Sequence, residues 1–176
     1  TKRDCLARSA EFFDPAGIWE PWKLQLKIKL SKMNDISWDE PMTNELKESW
    51  VNVFTQFTKL ENLQAPRTVV PMDADTKSMR MICLSDAAEN AIGAAIYVGF
   101  RLKDGSYSCQ LLTAKSKMAS HTIPRNELCG ILLMAELAYI AKNASPFPPH
   151  EIIYATDSTI AMSWSSNPNI KLKQFV

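Results

Sequence analysis

The stretch that decides the fold contains three short segments: MRMICLSD at residues 79–86, IPRNEL at 123–128 and EIIYATD at 151–157. Asp86 and Asp157 each end an apolar run, and Glu127 lies in the first turn of a predicted helix. Apolar runs that end in an acid are typical of buried strands that bring carboxylates to one edge of a sheet. A helix that brings a third carboxylate there would complete a site for a divalent cation.

The elements around these acids are predicted in the order β-β-β-α-β-α. Strands are predicted at 79–85, at 93–102, within 107–118 and at 151–156, and helices at 124–143 and from 158 to 164. The Asp-Gly turn at 103–106 and the short loops favour an antiparallel meander for the first three strands. The fourth strand follows a helix, so it can lie parallel to the first. That arrangement would bring Asp86 and Asp157 to the same edge.

The amino-terminal part has a helical pattern. We predict a helical domain at 1–66, a linker at 67–78 and a second domain at 79–176 that is incomplete at its carboxyl end. Residues 22–33 fit both a strand and a helix, and we favour the helix, whose lysines could contact phosphates but more simply form a solvated face. An apolar stripe from Leu46 to Leu60 predicts a further helix of about six turns. In the first 20 residues, a short helix is predicted whose apolar face comprises Leu6, Ala10 and Phe13.

The composition is that of a globular protein. The 176 residues are 46% hydrophobic and 22% charged, and the net charge of +1 provides no overall basic field for nucleic acid. The four cysteines and two histidines lack the spacing of zinc ligands, and buried free thiols favour an intracellular setting. No segment has the pattern of a membrane span or a signal peptide. Because the chain begins at Thr1, we expect a piece of a longer protein.

Several motifs resemble those of a known family. SDAAENAIGA at 85–94, IPRNEL at 123–128 and TDST at 156–159 are similar to the three acidic motifs of retroelement ribonuclease H domains. LLTAKSK at 111–117, with TKR at 1–3 and FDPAG at 13–17, resembles the BEL/Pao group of retrotransposons. The chain thus resembles part of a BEL/Pao Pol polyprotein, a reverse transcriptase thumb or connection followed by a ribonuclease H-like domain.

The resemblance implies an α/β fold with a mixed sheet and a ribonuclease H-type activity. Asp86, Glu127 and Asp157 would be the catalytic and metal-binding acids, with two Mg²⁺ ions, or Mn²⁺ in their place. The substrate would be the RNA strand of an RNA–DNA hybrid, and Ser158 and Thr159 could donate to a phosphate. The partners implied are the hybrid, the polymerase palm and the remaining ribonuclease H segment of the same polyprotein. The setting implied is the cytoplasm, in a retroelement particle, with the nucleus as an alternative.

The sequence departs from the family pattern at its carboxyl end. The usual fourth acid, fifth strand and final helices have no counterpart before Val176. A catalytically inactive scaffold or nucleic-acid-binding module is therefore an alternative to a nuclease. This region of BEL/Pao polyproteins is also customarily named a Pao retrotransposon peptidase of the A17 group. Asp157-Ser158-Thr159 lacks the glycine of an aspartic peptidase loop, so peptidase chemistry is disfavoured.

Each acid also has a simpler structural interpretation. Asp86 could begin a turn, Glu127 could favour the helix dipole, and Asp157 could be a helix N-cap. Taken singly, each simpler interpretation is the stronger one. Taken together, in this order and with these flanking residues, the three acids favour a shared site.

Overall fold

The computed structural model describes residues 1–59, 64–66 and 68–167. The chain forms two compact units, one comprising Thr1–Asp14 and Trp19–Arg67, the other Pro15–Ile18 and Thr68–Val176. Each unit has its own cluster of buried hydrophobic side chains. Among the described residues, no helix combines the length and the apolar character needed to cross a membrane.

The first unit consists of α1 (Lys2–Ala10), α2 (Glu20–Ser31) and α3 (Asn44–Thr58). The helical interpretation of residues 22–33 is confirmed by α2. The described α3 ends at Thr58 with Lys59 as its C-cap, and Leu60, the last residue of the predicted apolar stripe, lies outside the described residues. The core of this unit is formed by Cys5, Leu26, Met33, Trp50 and Phe57.

The predicted apolar face of α1 is wrong. Cys5 is its buried residue, whereas Leu6 is 45% exposed and Phe13, beyond the helix, is 87% exposed. A helix this short has too few apolar positions for its pattern to specify which side faces the core.

The lysines of α2 have partners within the first unit. Lys23 and Lys27 form ion pairs with the buried Glu20, at 2.8 and 3.2 Å. The Lys29 ammonium donates to the carbonyl of Ser49 at 2.6 Å and lies 5.2 Å from the ring centroid of Trp50. These contacts hold the lysine side chains in the helical unit, and they argue against the phosphate-binding alternative.

The second unit contains a four-stranded mixed sheet. Its strands are β1 (Ala74–Ala87), β2 (Ala91–Leu102), β3 (Tyr107–Met118) and β4 (Glu151–Thr156), in the order β3-β2-β1-β4. β1 pairs antiparallel with β2, β2 pairs antiparallel with β3, and β1 pairs parallel with β4. The predicted α/β class, with its antiparallel meander and parallel fourth strand, is confirmed.

β1 begins earlier than the sequence pattern predicts, at Ala74 rather than Met79. Its pairing with β2 changes register between Asp75 and Arg80, so the intervening residues bulge out of the ladder. This segment is polar and lacks the alternation that marks a half-buried strand, which is why its sequence predicts a linker.

Two helices follow β3, namely α4 (Ile123–Ala144) and α5 (Thr159–Ser166). The core against which α4 packs includes Met81 and Cys83 from β1 and Ile96 from β2, and α4 itself contributes Leu133. Alternate residues of β1 are buried, as expected for a strand with one face on a helix.

Gly130 marks the point where α4 crosses the end of β1. A Cβ atom at this position would lie 3.4 Å from the carbonyl oxygen of Asp86 and 3.7 Å from the Cβ of Ser85. The close approach to a sheet that Gly130 indicates is therefore present. It brings the amino-terminal half of α4 to the strand end that carries Asp86.

Gly17 lies where residues 15–18 meet the edge strand β3. The backbone N–H of Ala114 donates to the carbonyl of Ala16 at 2.9 Å, which occupies part of that edge. Gly17 has a φ of +73°, and a Cβ atom there would overlap the backbone of Ala114. This position therefore requires glycine for both conformation and space.

The two glycines predict opposite effects of a change to alanine. Gly130→Ala should be tolerated or stabilise the chain by up to about 1 kcal/mol, because alanine is the better helix former and 3.4 Å is an ordinary contact. Gly17→Ala should destabilise the second unit by about 1 kcal/mol or more, because its φ is positive and its Cβ overlaps backbone. Urea unfolding followed by circular dichroism measures both changes. Equal effects of the two substitutions would contradict this account.

Candidate metal centre

The pairing of β1 with β4 places two aspartates side by side. The parallel register runs from Arg80 opposite Glu151 to Ser85 opposite Thr156. Asp86 is the next residue of β1, and Asp157 directly follows the last residue of β4. Because parallel strands that are in register advance together, the two carboxylates leave the sheet at the same edge.

The third acid comes from α4. This helix begins at Ile123, so Glu127 lies in its second turn and not in the first turn that the sequence predicted. The pattern placed the start later because Pro124 favours the first helical position, whereas here the helix begins one residue before it. The close crossing at Gly130 brings this part of α4 to the end of β1.

The structure brings Asp86, Glu127 and Asp157 together. Each contributes a carboxylate oxygen, and these three oxygens lie within 4.8 Å of one another. Asp86 and Asp157 are exposed, while Glu127 is partly buried. The group thus opens to solvent on the aspartate side and is backed by α4.

The electrostatics of the group are unfavourable without a cation. Partial burial raises the pKa of Glu127, and the negative charges of Asp157 and then Asp86 raise that pKa further. Oxygen ligands of this kind suit a hard divalent cation, whose charge would offset the repulsion. In donor type the three side chains therefore suit Mg²⁺ or Mn²⁺, and their oxygens are close enough together to form a candidate cation site.

The simpler interpretations of the three acids do not describe the structure. Asp86 begins no turn, because it lies within β1 and is paired with Gly93 of β2. Glu127 is outside the first turn of α4, where the helix dipole acts most strongly. Asp157 is not the N-cap of α5, because Ser158 holds that position and its hydroxyl accepts from the N–H of Ala161 at 3.2 Å.

The two predicted substrate contacts lie at the start of α5. Ser158 is half-buried and its oxygen caps the helix, but a hydroxyl can still donate its proton to another acceptor. Thr159 is the first residue of α5 and is exposed. Both residues therefore lie next to Asp157 in the chain, and their contact with a phosphate stays a prediction.

Two buried polar residues near the acids were not singled out by the sequence. Ser85 is 7% exposed, and in the described part of the chain its hydroxyl has no hydrogen-bond partner. Its Cβ would lie 3.7 Å from a Cβ atom at position 130, so Ser85 lies beside the helix crossing. Asn126 is 1% exposed and fully hydrogen-bonded to backbone. A polar residue at a buried position of an amphipathic helix is the signal that could have identified Asn126.

Comparison with known proteins identifies the family. A family model described as "Pao retrotransposon-like RNaseH-like domain" matches residues 1–158, which is most of the chain and includes all three acids. No protein in the curated set matches the chain. The family that the sequence motifs indicate is thereby confirmed, and the matched description names an RNaseH-like domain rather than a peptidase.

The raised pKa of Glu127 predicts how stability depends on pH when a chelator removes divalent ions. Because its pKa is raised, Glu127 binds its proton more tightly in the folded state than in the unfolded state. Its contribution to the free energy of unfolding is therefore fully present below the ordinary glutamate pKa, and it is lost as the pH rises through the raised pKa. Glu127→Gln should therefore be more stable than wild type at pH 8 and nearly equal to it at pH 4. Urea unfolding at both pH values measures the difference.

A matched change controls for the loss of one negative charge. Glu89→Gln removes an exposed acid three residues beyond Asp86, outside the acidic group. It should not reproduce the gain in stability at pH 8. A Glu127→Gln protein that is no more stable than wild type at pH 8 would contradict the electrostatic account.

Proposed function

Since this chain belongs to the family of Pao retrotransposon-like RNaseH-like domains, we propose that it is a nuclease that hydrolyses the RNA strand of RNA–DNA hybrids with the aid of Mg²⁺. The observation that carries the proposal is the convergence of the carboxylates of Asp86, Glu127 and Asp157 within 4.8 Å. The proposal thus combines the nuclease-like scaffold of the family with a candidate cation site at one edge of the sheet.

Each acid has a distinct role in this proposal. Asp86 and Asp157 are the exposed pair that would hold the ions from the solvent side, and Glu127 would complete the site from α4. Bound ions of this kind activate water and stabilise the leaving oxygen in phosphodiester cleavage. The chain itself supplies the negative charge and fixes the spacing between the oxygens through the strand register and the helix crossing.

The open side of the site suits a long substrate. Asp86 and Asp157 lie at an exposed edge rather than in a closed pocket, so a duplex could approach without a change in the fold. Ser158 and Thr159 at the start of α5 could donate hydroxyl protons to a phosphate beside Asp157. The 2′-hydroxyl and the duplex shape would distinguish the hybrid from DNA.

The helical unit belongs to the same proposal as a connection to a polymerase. The family match begins at residue 1 and therefore covers this unit as well as the sheet. We assign the unit to the reverse transcriptase thumb or connection, with the polymerase palm and a further ribonuclease H segment as partners in one polyprotein. The lysines of α2, which have partners within the unit, are not part of the proposed nucleic-acid contact.

A cleavage assay tests the activity. We expect cleavage of the labelled RNA strand of a hybrid in Mg²⁺, a loss of about a hundredfold or more in Asp86→Asn, Glu127→Gln and Asp157→Asn, and no cleavage with a chelator. These changes remove negative charge from the site without removing side-chain volume. Glu89→Gln is the matched control and should cleave like wild type.

The same assay distinguishes the alternatives. Binding of the hybrid without cleavage by the folded wild-type chain would contradict the nuclease proposal and favour a non-catalytic binding module. Cleavage that persists in Asp86→Asn and Asp157→Asn would place the activity at another site. Hybrid binding is measured separately by fluorescence anisotropy, so the two outcomes are not confused.

A further inference from the structure

Asn126 is the most deeply buried polar side chain in the described part of the chain, at 1% exposure. Burying an amide is costly unless its donors and acceptor are satisfied. Its Oδ1 accepts from the N–H of His121 at 3.1 Å, and its Nδ2 donates to the carbonyls of His121 at 2.9 Å and Ala88 at 3.3 Å. All three partners are backbone groups, so the side chain holds the path of the main chain.

One of the three bonds, from Nδ2 of Asn126 to the carbonyl of Ala88, joins the two segments that carry two of the acids, and the other two bonds hold the turn before α4. Ala88 lies two residues beyond Asp86, just after the end of β1. His121 lies just before α4, and Asn126 immediately precedes Glu127 in that helix. The amide therefore connects the chain that leaves the Asp86 strand to the start of the Glu127 helix.

The side chain of the N-cap residue does not hold the start of α4. Thr122 is the N-cap residue, yet its side chain makes no capping hydrogen bond. From within the helix, Asn126 instead accepts from the N–H of His121 and donates to the carbonyl of the same residue, which precedes the N-cap. One turn later, at Gly130, the helix lies close to the carbonyl of Asp86. The crossing lies at Gly130, and the bond from Asn126 to Ala88 spans the same two segments.

A tether is needed here because the three carboxylates repel one another. Repulsion among Asp86, Glu127 and Asp157 would be relieved if the start of α4 moved away from β1. A shift of that kind would move the Glu127 carboxylate away from those of Asp86 and Asp157, whereas a small divalent cation requires its ligand oxygens to lie close together. A bond between α4 and the segment after β1 opposes it directly.

We propose that Asn126 is a positioning residue that fixes Glu127 relative to Asp86, and that the affinity of the acidic site for divalent cations depends on it. The inference rests on the metal site of the proposed function. Asn126 itself touches neither the ion nor the substrate; it acts through the backbone of Ala88 and His121. Outer residues that orient metal ligands commonly change metal affinity by about 10- to 100-fold when they are replaced.

The test compares the affinity for Mn²⁺ in the full chain, measured from the electron paramagnetic resonance signal of free Mn²⁺. Asn126→Leu keeps the volume of the side chain and removes all three hydrogen bonds, and Asn126→Ala serves if that variant does not fold. We expect affinity at the site to fall by about tenfold or more. Asp157→Asn identifies which part of the binding belongs to the acidic site.

A matched control separates positioning from general loss of stability. Leu133→Ala alters a side chain that is 1% exposed, lies on the same helix and is part of the hydrophobic core. Affinities are compared at a temperature at which circular dichroism shows every variant to be folded. Leu133→Ala should bind Mn²⁺ within about twofold of wild type, while it unfolds at lower urea concentration.

Amide hydrogen exchange in chelator gives a readout that needs no metal. The N–H of His121 donates to Asn126, so in Asn126→Leu this amide should exchange at least about tenfold faster, whereas in Leu133→Ala it should change no more than the rest of α4.

Three results would overturn the inference. Wild-type Mn²⁺ affinity in folded Asn126→Leu would overturn it and leave the metal site intact. Equal losses in Asn126→Leu and Leu133→Ala would show a general effect of stability. If Asp157→Asn binds Mn²⁺ as tightly as wild type does, the proposed metal site is overturned, and this inference with it.

Discussion

The parallel pairing of β1 with β4 is the constraint on which the rest of this structure depends. Its register places Ser85 opposite Thr156, so the residues that follow, Asp86 and Asp157, must emerge together. Side chains alternate along a strand, and a slip of one residue would turn one of the two carboxylates toward the opposite face. The backbone hydrogen bonds of the sheet therefore set the spacing of the acidic pair before any metal is considered.

The third acid is held by a different kind of contact. Glu127 reaches the sheet because α4 crosses β1 closely at Gly130 and because Asn126 is bonded to the backbone of Ala88 and His121. Partial burial and two neighbouring carboxylates raise its pKa, so this arrangement is kept against an electrostatic cost. The stability of the sheet and of the helix packing holds together carboxylates that would otherwise move apart. The ligands of a divalent cation would then be in position before the cation binds.

Some elements were readable from the sequence and others were not. β4 has the predicted bounds and β3 occupies the whole of the predicted range 107–118, because turn residues and prolines flank these runs. The start of β1 was missed because Asp75 to Ser78 are polar and bulged, and the buried face of α1 was wrong because few apolar residues define it. The acids themselves were found because each follows or lies within a strongly patterned element. Asn126 was not, because a polar residue on the apolar side of a helix indicates a buried hydrogen-bonding group but does not show which backbone groups it binds.

The sequence by itself determined the order of the elements, the identity of the three acids and the family, because periodicity and local motifs are properties of neighbouring residues. Only the tertiary structure decided that the carboxylate oxygens lie within 4.8 Å, that Ser158 rather than Asp157 caps α5, and that Asn126 joins α4 to the end of β1. These features depend on register and helix packing between segments up to 71 residues apart, from Asp86 to Asp157. Distances of that kind follow from how the layers pack, and local sequence patterns do not contain them.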